Sequence, residues 1–298
     1  MSELVLPWMP PGRLVRVEGR GELFVRQHRH ADPDAPVVLL LHGWTASADL
    51  QFFGAYSALA EHCSLIAVDH RGHGRGLRSP RTFTLQDAAD DAAAVVRALG
   101  VGTVVTVGYS MGGPVSLLLA HRHPELVRGL VVQATAMEWS GTRRERALWR
   151  VLPVAGSWLR SKGYRRYLNR AVGKLIGAGH PTEQYIPWLL SEMSRSDPFA
   201  MVDASRALAS YDARPWIAEL RLPAASLVTT KDRLVSAAKQ RALASALDAE
   251  VRELPCDHLC STSDPAVYAT TTVELIELVV RQATDPSHRG RSGSLVAS

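Results

Sequence analysis

The segment Gly108-Tyr109-Ser110-Met111-Gly112-Gly113 constrains this chain more than any other. It follows an apolar run, Val104 to Val107, that reads as a strand, and it opens a helix-like stretch, Met111 to His121. A serine with glycines two positions before and two after, at a strand-to-helix turn, is the pattern of a nucleophile elbow. Such a turn is strained and lifts the hydroxyl clear of the sheet. The glycines let strand and helix close on each other. The helix N-terminus directs backbone N–H groups and a positive dipole at the site.

The surrounding sequence supplies the sheet that an elbow needs. Val37 to Leu41, Leu65 to Val68, Leu130 to Val132 and Ser226 to Val228 are short and continuously apolar. Strands buried on both faces read this way. Helical stretches lie between them: Thr84 to Leu99, Ala237 to Leu247 and Pro265 to Val280. The first has Thr84 as its cap, Asp87 three residues later and Gly100 as its stop. Arg13 to Glu18 and Glu22 to Gln27 flank a Gly19-Arg20-Gly21 turn as a hairpin. Strands alternating with helices imply a mostly parallel sheet, with helices on both faces. The 298 residues suit one large α/β domain.

One region breaks the alternation. From Glu138 to about Pro215 no strand-like run occurs, and helical stretches are interrupted by Pro153, Gly156, Gly163, Pro181, Pro187 and Pro198. The organisation expected is a core over 1–137 and 216–283, a helical insertion over 138–215, and a disordered tail over 284–298.

A serine hydroxyl is a poor nucleophile without a base and a group to orient that base. In this kind of fold the order along the chain is serine, acid, histidine. His258 follows the strand-like Val251 to Leu254, and no other histidine lies between His180 and His288. Asp232 sits just past Ser226 to Val228, where a loop can hold a carboxylate toward the site. Glu138, past the preceding strand, and Asp257, beside the histidine, are rivals for the acid. Acyl transfer also needs donors for the developing oxyanion. The backbone N–H groups of Met111 and of Trp44, in the His42-Gly43-Trp44 loop, are the candidates. His42 itself is expected to hold that loop rather than to react.

Composition narrows the function classes. The net charge is +5, and much of the excess lies between Arg143 and Lys174, with ten Arg or Lys against Glu145. The rest is nearly balanced, and no zinc-finger spacing or basic, aromatic-interleaved strand pattern points to nucleic acid. The basic stretch also holds Trp149, Trp158, Tyr164 and Tyr167. It reads either as a face that meets anionic lipid surfaces or as a solvated helix face with its rings turned inward. Three cysteines, Cys63, Cys256 and Cys260, argue against a disulfide framework. Cys256, His258 and Cys260 are too close in one loop to close a tetrahedral metal site, so no metal or cofactor is expected. Met1 to Arg20 lacks a basic segment followed by an apolar stretch, and no apolar run is long enough to span a bilayer. A soluble, cytoplasmic protein is the expectation.

The ordered set of His42-Gly43, Asp69-His70-Arg71-Gly72-His73-Gly74, the elbow, Lys231-Asp232-Arg233 and His258 resembles the α/β-hydrolase superfamily. The resemblance runs from about Val37 to Leu278, outside the insertion. It implies an eight-stranded, mostly parallel sheet and a helical cap over 138–215. A serine nucleophile excludes the branches that use aspartate. The elbow is similar to that of monoacylglycerol lipases, bromoperoxidase-like esterases and carbon–carbon bond hydrolases. It is also similar to that of a menaquinone-pathway lyase, although Pro114 stands where that lyase usually has arginine. The function expected is hydrolysis of a small carboxylic ester with an apolar acyl or alkyl group. Ser110, His258 and Asp232 would act as nucleophile, base and acid, and Tyr109, Trp139 and Trp188 would face substrate. The alternative is a cofactor-free lyase or a ligand-binding member of the same fold.

Overall fold

In a computed structural model of the chain, residues 5–151 and 182–285 are described. The apolar runs form the middle of an eight-stranded sheet in the order β1-β2-β4-β3-β5-β6-β7-β8. Its strands are β1 (Gly12–Val17), β2 (Gly21–His28), β3 (Val37–Leu41), β4 (Ser64–Val68), β5 (Val104–Tyr109), β6 (Val127–Gln133), β7 (Ala224–Thr229) and β8 (Glu250–Leu254). The β1–β2 and β2–β4 pairs are antiparallel. The remaining pairs are parallel. Strands β5 and β7 are buried along their whole length, as continuously apolar strands covered on both faces must be. Edge strand β8 alternates acids, Arg252 and aliphatics and is largely exposed, which guards it against pairing with another chain.

Helices cover both faces. The helix Leu85–Ala98 starts on Thr84, whose hydroxyl accepts from Asp87 N–H at 2.9 Å. It stops before Gly100, which has φ 65°. Its alanine-rich face packs with the elbow helix, Gly112–Arg122, under β1 and β5. The last helix, Pro265–Thr284, covers the other face. Gly129 allows that approach, because a Cβ there would collide with Val279. This helix runs four residues past the end expected from the sequence, and the rest of the tail, 286–298, lies outside the described residues.

The chain leaves the sheet after β6 and returns at β7. An antiparallel bridge between Glu138 and Asp212 closes the base of this excursion. Between them the described residues form the helices Arg143–Val151, Ile186–Met193 and Pro198–Ser210, with no strand. Arg75, in the loop after β4, joins Ile186–Met193 to the core. It donates to Glu192 at 2.8 and 2.9 Å and to Asp49 at 3.1 Å. Trp158, Tyr164 and Tyr167 of the basic stretch lie outside the described residues, while Trp149 is buried and donates to the Trp139 carbonyl at 2.6 Å. Among the described residues, no helix is long and apolar enough to cross a membrane.

Candidate active site

Strand β3 sits at the centre, with β4 on one side and β5 on the other, so the strand order reverses there. In open α/β sheets, ligands bind outside the carboxyl ends of the strands at such a reversal. The loops after β3, β5, β7 and β8 carry Gly43-Trp44, Ser110, Asp232 and His258 to this end.

Ser110 has φ 52°, in the left-handed region that a side chain enters only at a cost. Neighbours on the next strand hold it there. Its N–H donates to the Gln133 carbonyl at 2.9 Å, and its carbonyl accepts from the Thr135 hydroxyl at 2.8 Å. The elbow glycines are spatial necessities. A Cβ on Gly112 would strike the Leu41 carbonyl, and one on Gly108 would strike the Gly112 carbonyl and Ser116.

Ser110 Oγ lies 2.9 Å from His258 Nε2, and His258 Nδ1 lies 2.7 Å from Asp232 Oδ2. The second oxygen of Asp232 accepts from the N–H groups of Leu234 and Val235 at 2.8 and 2.9 Å. Thr229 donates its hydroxyl to Oδ2 at 2.9 Å. Burial alone would raise the Asp232 carboxyl. The hydrogen bond and charge of His258 and the two N–H groups outweigh it and hold the pKa below the usual aspartate value. Both rival acids are engaged elsewhere. Glu138 pairs with Lys239 at 2.8 Å, and Asp257 accepts from Leu259 N–H at 2.9 Å.

The loop after β3 comes close to the serine, since a Cβ on Gly43 would sit 3.2 Å from Ser110 Cβ. Gly43 N–H donates to Gln51 at 3.3 Å, and Gln51 in turn donates to Ser261 at 2.5 Å. Among the described residues, neither Trp44 N–H nor Met111 N–H donates to a protein acceptor. His42 is fully buried. Its Nδ1 meets the Gly43 carbonyl at 2.7 Å, and its Nε2 accepts from His70 N–H at 3.0 Å. Burial, with His70 and His73 nearby, pushes its pKa well down, so the ring is neutral and fixes the loop.

A cavity of about 290 Å³ opens over Ser110 and His258. Trp44, Trp139, Trp149, Leu189, Met193 and Leu208 form much of its wall, and Tyr109 borders it. Trp188 does not line it. That ring packs on Phe53, with centroids 5.3 Å apart, and its neighbour Leu189 occupies the wall. Tyr109 also donates its hydroxyl to the His258 carbonyl at 3.0 Å. Sequence reasoning missed Gln51, Gln240 and the aliphatic wall. Gln240, on the helix Ala237–Ala246, ties together Thr229, Asp232 and Val235. Its position in the sequence carries no mark of that role.

Cys256 and Cys260 are joined by a disulfide that spans His258. The small, odd cysteine count does not reveal this bond, which closes one short loop rather than building a framework. Bonded sulfurs offer no thiolates to a metal. Among the described residues, no group of His, Cys, Asp or Glu could hold a metal ion.

Comparison with known proteins agrees with this architecture. Residues 36–172 match a family model for the alpha/beta hydrolase fold. A 2-(acetamidomethylene)succinate hydrolase of Mesorhizobium japonicum is 35% identical over 96 residues, 32% of this chain and 34% of that protein. The chain thus matches about a third of that relative's length. A Serratia proteamaculans protein named for carbamate hydrolysis is 29% identical over 249 residues, 78% of this chain and 87% of that protein. The crystal structure of an enol-lactonase from Burkholderia xenovorans superposes with a TM-score of 0.76 at 22% identity, covering 89% of this chain and all of that one. With the sheet order, the elbow and the family match in agreement, the chain belongs to the α/β-hydrolase superfamily.

Proposed function

We propose that this chain is a serine hydrolase that cleaves a carboxylic ester with an apolar acyl or alkyl group. One observation carries the reading: the hydrogen-bonded series Ser110, His258, Asp232 opens onto an apolar cavity. In this reading Ser110 Oγ attacks the ester carbonyl while His258 Nε2 takes its proton. Asp232 fixes the imidazole tautomer and offsets the charge of the imidazolium. The oxyanion is received by the N–H groups of Trp44 and Met111, which lack protein acceptors among the described residues. His258 then gives the proton to the leaving alkoxide, and the acyl group stays on Ser110. Water attacks that acyl-enzyme with the same base, releasing the acid and restoring the serine.

The insertion over 138–215 serves in this reading as a cap that sets substrate choice, since Trp139, Trp149, Leu189, Met193 and Leu208 come from it. Tyr109 and Trp139 border the bound substrate. Trp188 acts at one remove, through Phe53 and Leu189. The basic stretch of the cap is open to a weak contact with anionic lipid, which binding to anionic against neutral vesicles tests. A cytoplasmic setting is part of the reading. The Cys256–Cys260 disulfide is at odds with that setting, because a reducing compartment keeps such pairs open, so trapping of free thiols at lysis supports it and recovery of the bonded pair overturns it.

The relatives named for hydrolysing carbamates and an acetamido compound favour a second reading, in which the acyl bond is to nitrogen. The test is labelling by a fluorophosphonate probe, followed by turnover of a matched panel of esters, amides and carbamates. Labelling at Ser110 with ester turnover dominant is the expected result. Dominant carbamate or amide turnover replaces the ester reading, and failure of a folded sample to label argues for a lyase or a binding protein.

A further inference from the structure

The cavity wall is of two kinds, closed and open to solvent. In the first, Trp139, Trp149, Leu189 and Leu208 are buried. In the second, Leu234 and Leu259 line the same cavity while remaining 46% and 40% exposed. A single exposed leucine is ordinary. Two at the mouth of one cavity are another matter, and both stand in the loops that carry the triad. Leu259 follows His258 directly. Leu234 lies two residues beyond Asp232, and its N–H bonds that carboxylate at 2.8 Å. Leu259 N–H bonds Asp257 at 2.9 Å. The backbone contacts that order the catalytic loops therefore also fix where these two side chains stand.

Reaction chemistry assigns the two parts. The leaving oxygen must take its proton from His258 Nε2, so the alcohol portion has to lie on the histidine side of the carbonyl carbon. Leu259 and Leu234, carried by the loops that hold His258 and Asp232, are the apolar lining residues next to them in the chain. The carbonyl oxygen points to the loop after β3, where the Trp44 ring lies 6.1 Å from Trp149 and begins the buried aromatic part. We propose that Leu234 and Leu259 form the leaving-group subsite, which takes an uncharged alkyl alcohol running outward to solvent, while the acyl group enters the closed aromatic end. This rests on the ester-hydrolase reading above. An open apolar subsite favours longer alcohols up to the reach of the two leucines and sets no upper limit. The closed end does set one for the acyl group.

The experiment measures kcat/KM, which reports acylation, for two series on the whole protein. One holds the acyl group at butyryl and lengthens a linear alcohol from methyl to octyl. The other holds the alcohol at methyl and lengthens the acid. Wild type should gain about two- to fourfold per methylene over the first several carbons of the alcohol series, then level off. The acyl series should rise and then fall. Leu234→Ser and Leu259→Ser should flatten the alcohol series and leave the shape of the acyl series as it was. Leu259→Met should restore most of the alcohol dependence. Fluorophosphonate labelling of each variant at Ser110 separates the outcomes. Labelled variants with an unaltered alcohol dependence, or with the acyl series changed equally, overturn the subsite and leave the hydrolase reading standing. A folded wild type that neither labels nor turns over esters overturns both.

Discussion

The hydroxyl of Tyr109 donates to the backbone carbonyl of His258 at 3.0 Å. The residue just before the elbow serine thus holds the residue that faces the serine across the site. The two rings meet edge to face, with centroids 5.9 Å apart, and Tyr109 is almost wholly buried. Its phenol is pushed far above the usual tyrosine range, first by burial and then by nearby Tyr268 and carboxylates, so it remains a donor. Tyr109→Phe removes one neutral hydrogen bond, about 1 kcal/mol, and keeps the ring. The expected result is a kcat lower by about three- to tenfold, a KM within twofold of wild type, and full fluorophosphonate labelling at a slower rate. An unchanged kcat would make the hydroxyl a purely structural contact.

Ser110→Ala should lower ester turnover by a factor of a thousand or more while leaving circular dichroism and melting close to wild type. Asp232→Asn should cost about 10⁴ in kcat, because an amide at that position favours the wrong imidazole tautomer. Glu138→Gln should spare the chemistry and act on stability through its contact with Lys239. If Glu138→Gln were the crippling change and Asp232→Asn mild, the acid would have to be reassigned.

Much of this constellation was legible in the sequence, and the gaps have physical causes. The central strands could be read because strands covered on both faces must be continuously apolar. Their ends could not. Strand β5 reads as Val104 to Val107 but continues to Tyr109, because Gly108 is there for the elbow and hides the strand. The helices Ala48–Phe52 and Tyr56–Ala60 are too short to show a period. Trp188 was expected to face substrate, but successive residues on a helix point about 100° apart. The size of a side chain does not reveal the rotation of its helix, so Leu189 rather than Trp188 reaches the cavity. The support of Asp232 by Thr229 and Gln240 joins positions with no shared pattern, and only the folded loop brings them together.

Stability should fall on acidification, and the sign follows from a buried cluster. His42, His70 and His73 cluster behind the loop after β3, with the tilted His42 and His70 rings 4.3 Å apart. Burial first, then neighbouring charge, pushes His42 well down, His70 to about 3 and His73 to about 4. Each takes a proton near pH 6.5 when unfolded but resists it when folded. Below about pH 6.5 the unfolded chain therefore binds up to three more protons, until His73 titrates in the folded state at about 4, and the stability present above 6.5 is lost as pH falls. Asp69 opposes this. Burial raises it to about 6, so the folded state binds its proton first and offsets one of the three below that pH. The slope from these four groups approaches two protons around pH 5, about 3 kcal/mol per pH unit. Urea melts from pH 7 to 4.5 check it. His70→Leu, at a ring whose nitrogens have no partner among the described residues, should reduce the slope by about one proton.

The contact between Arg75 and Glu192 ties the inserted helix Ile186–Met193 to the core. Glu192 is buried, on the helix that also supplies Leu189 and Met193 to the cavity wall. Its carboxylate is held by both forks of Arg75 and by Arg195 at 2.9 Å. Arg75 is anchored in turn to Asp49, which Arg26 grips at 2.7 and 2.9 Å. Arg75→Ala leaves Glu192 buried with the partly exposed Arg195 and a long 3.4 Å hydrogen bond from the Ser47 hydroxyl, whereas Asp49 keeps Arg26. Removing one partner of a buried pair costs about 3 kcal/mol, and the partial exposure of Arg75 lowers that toward about 2. The helix should loosen and its wall with it, so acyl-length discrimination should blunt while labelling of Ser110 persists. Glu192→Leu in the same background removes the stranded charge and should recover part of the lost stability, making the two changes less than additive. Thermal melts of the two single variants and the double variant, beside the acyl series, provide the check. Strict additivity would mean that the pair does not clamp the inserted helix, and sharp acyl discrimination in Arg75→Ala would mean that the wall is held by apolar packing alone.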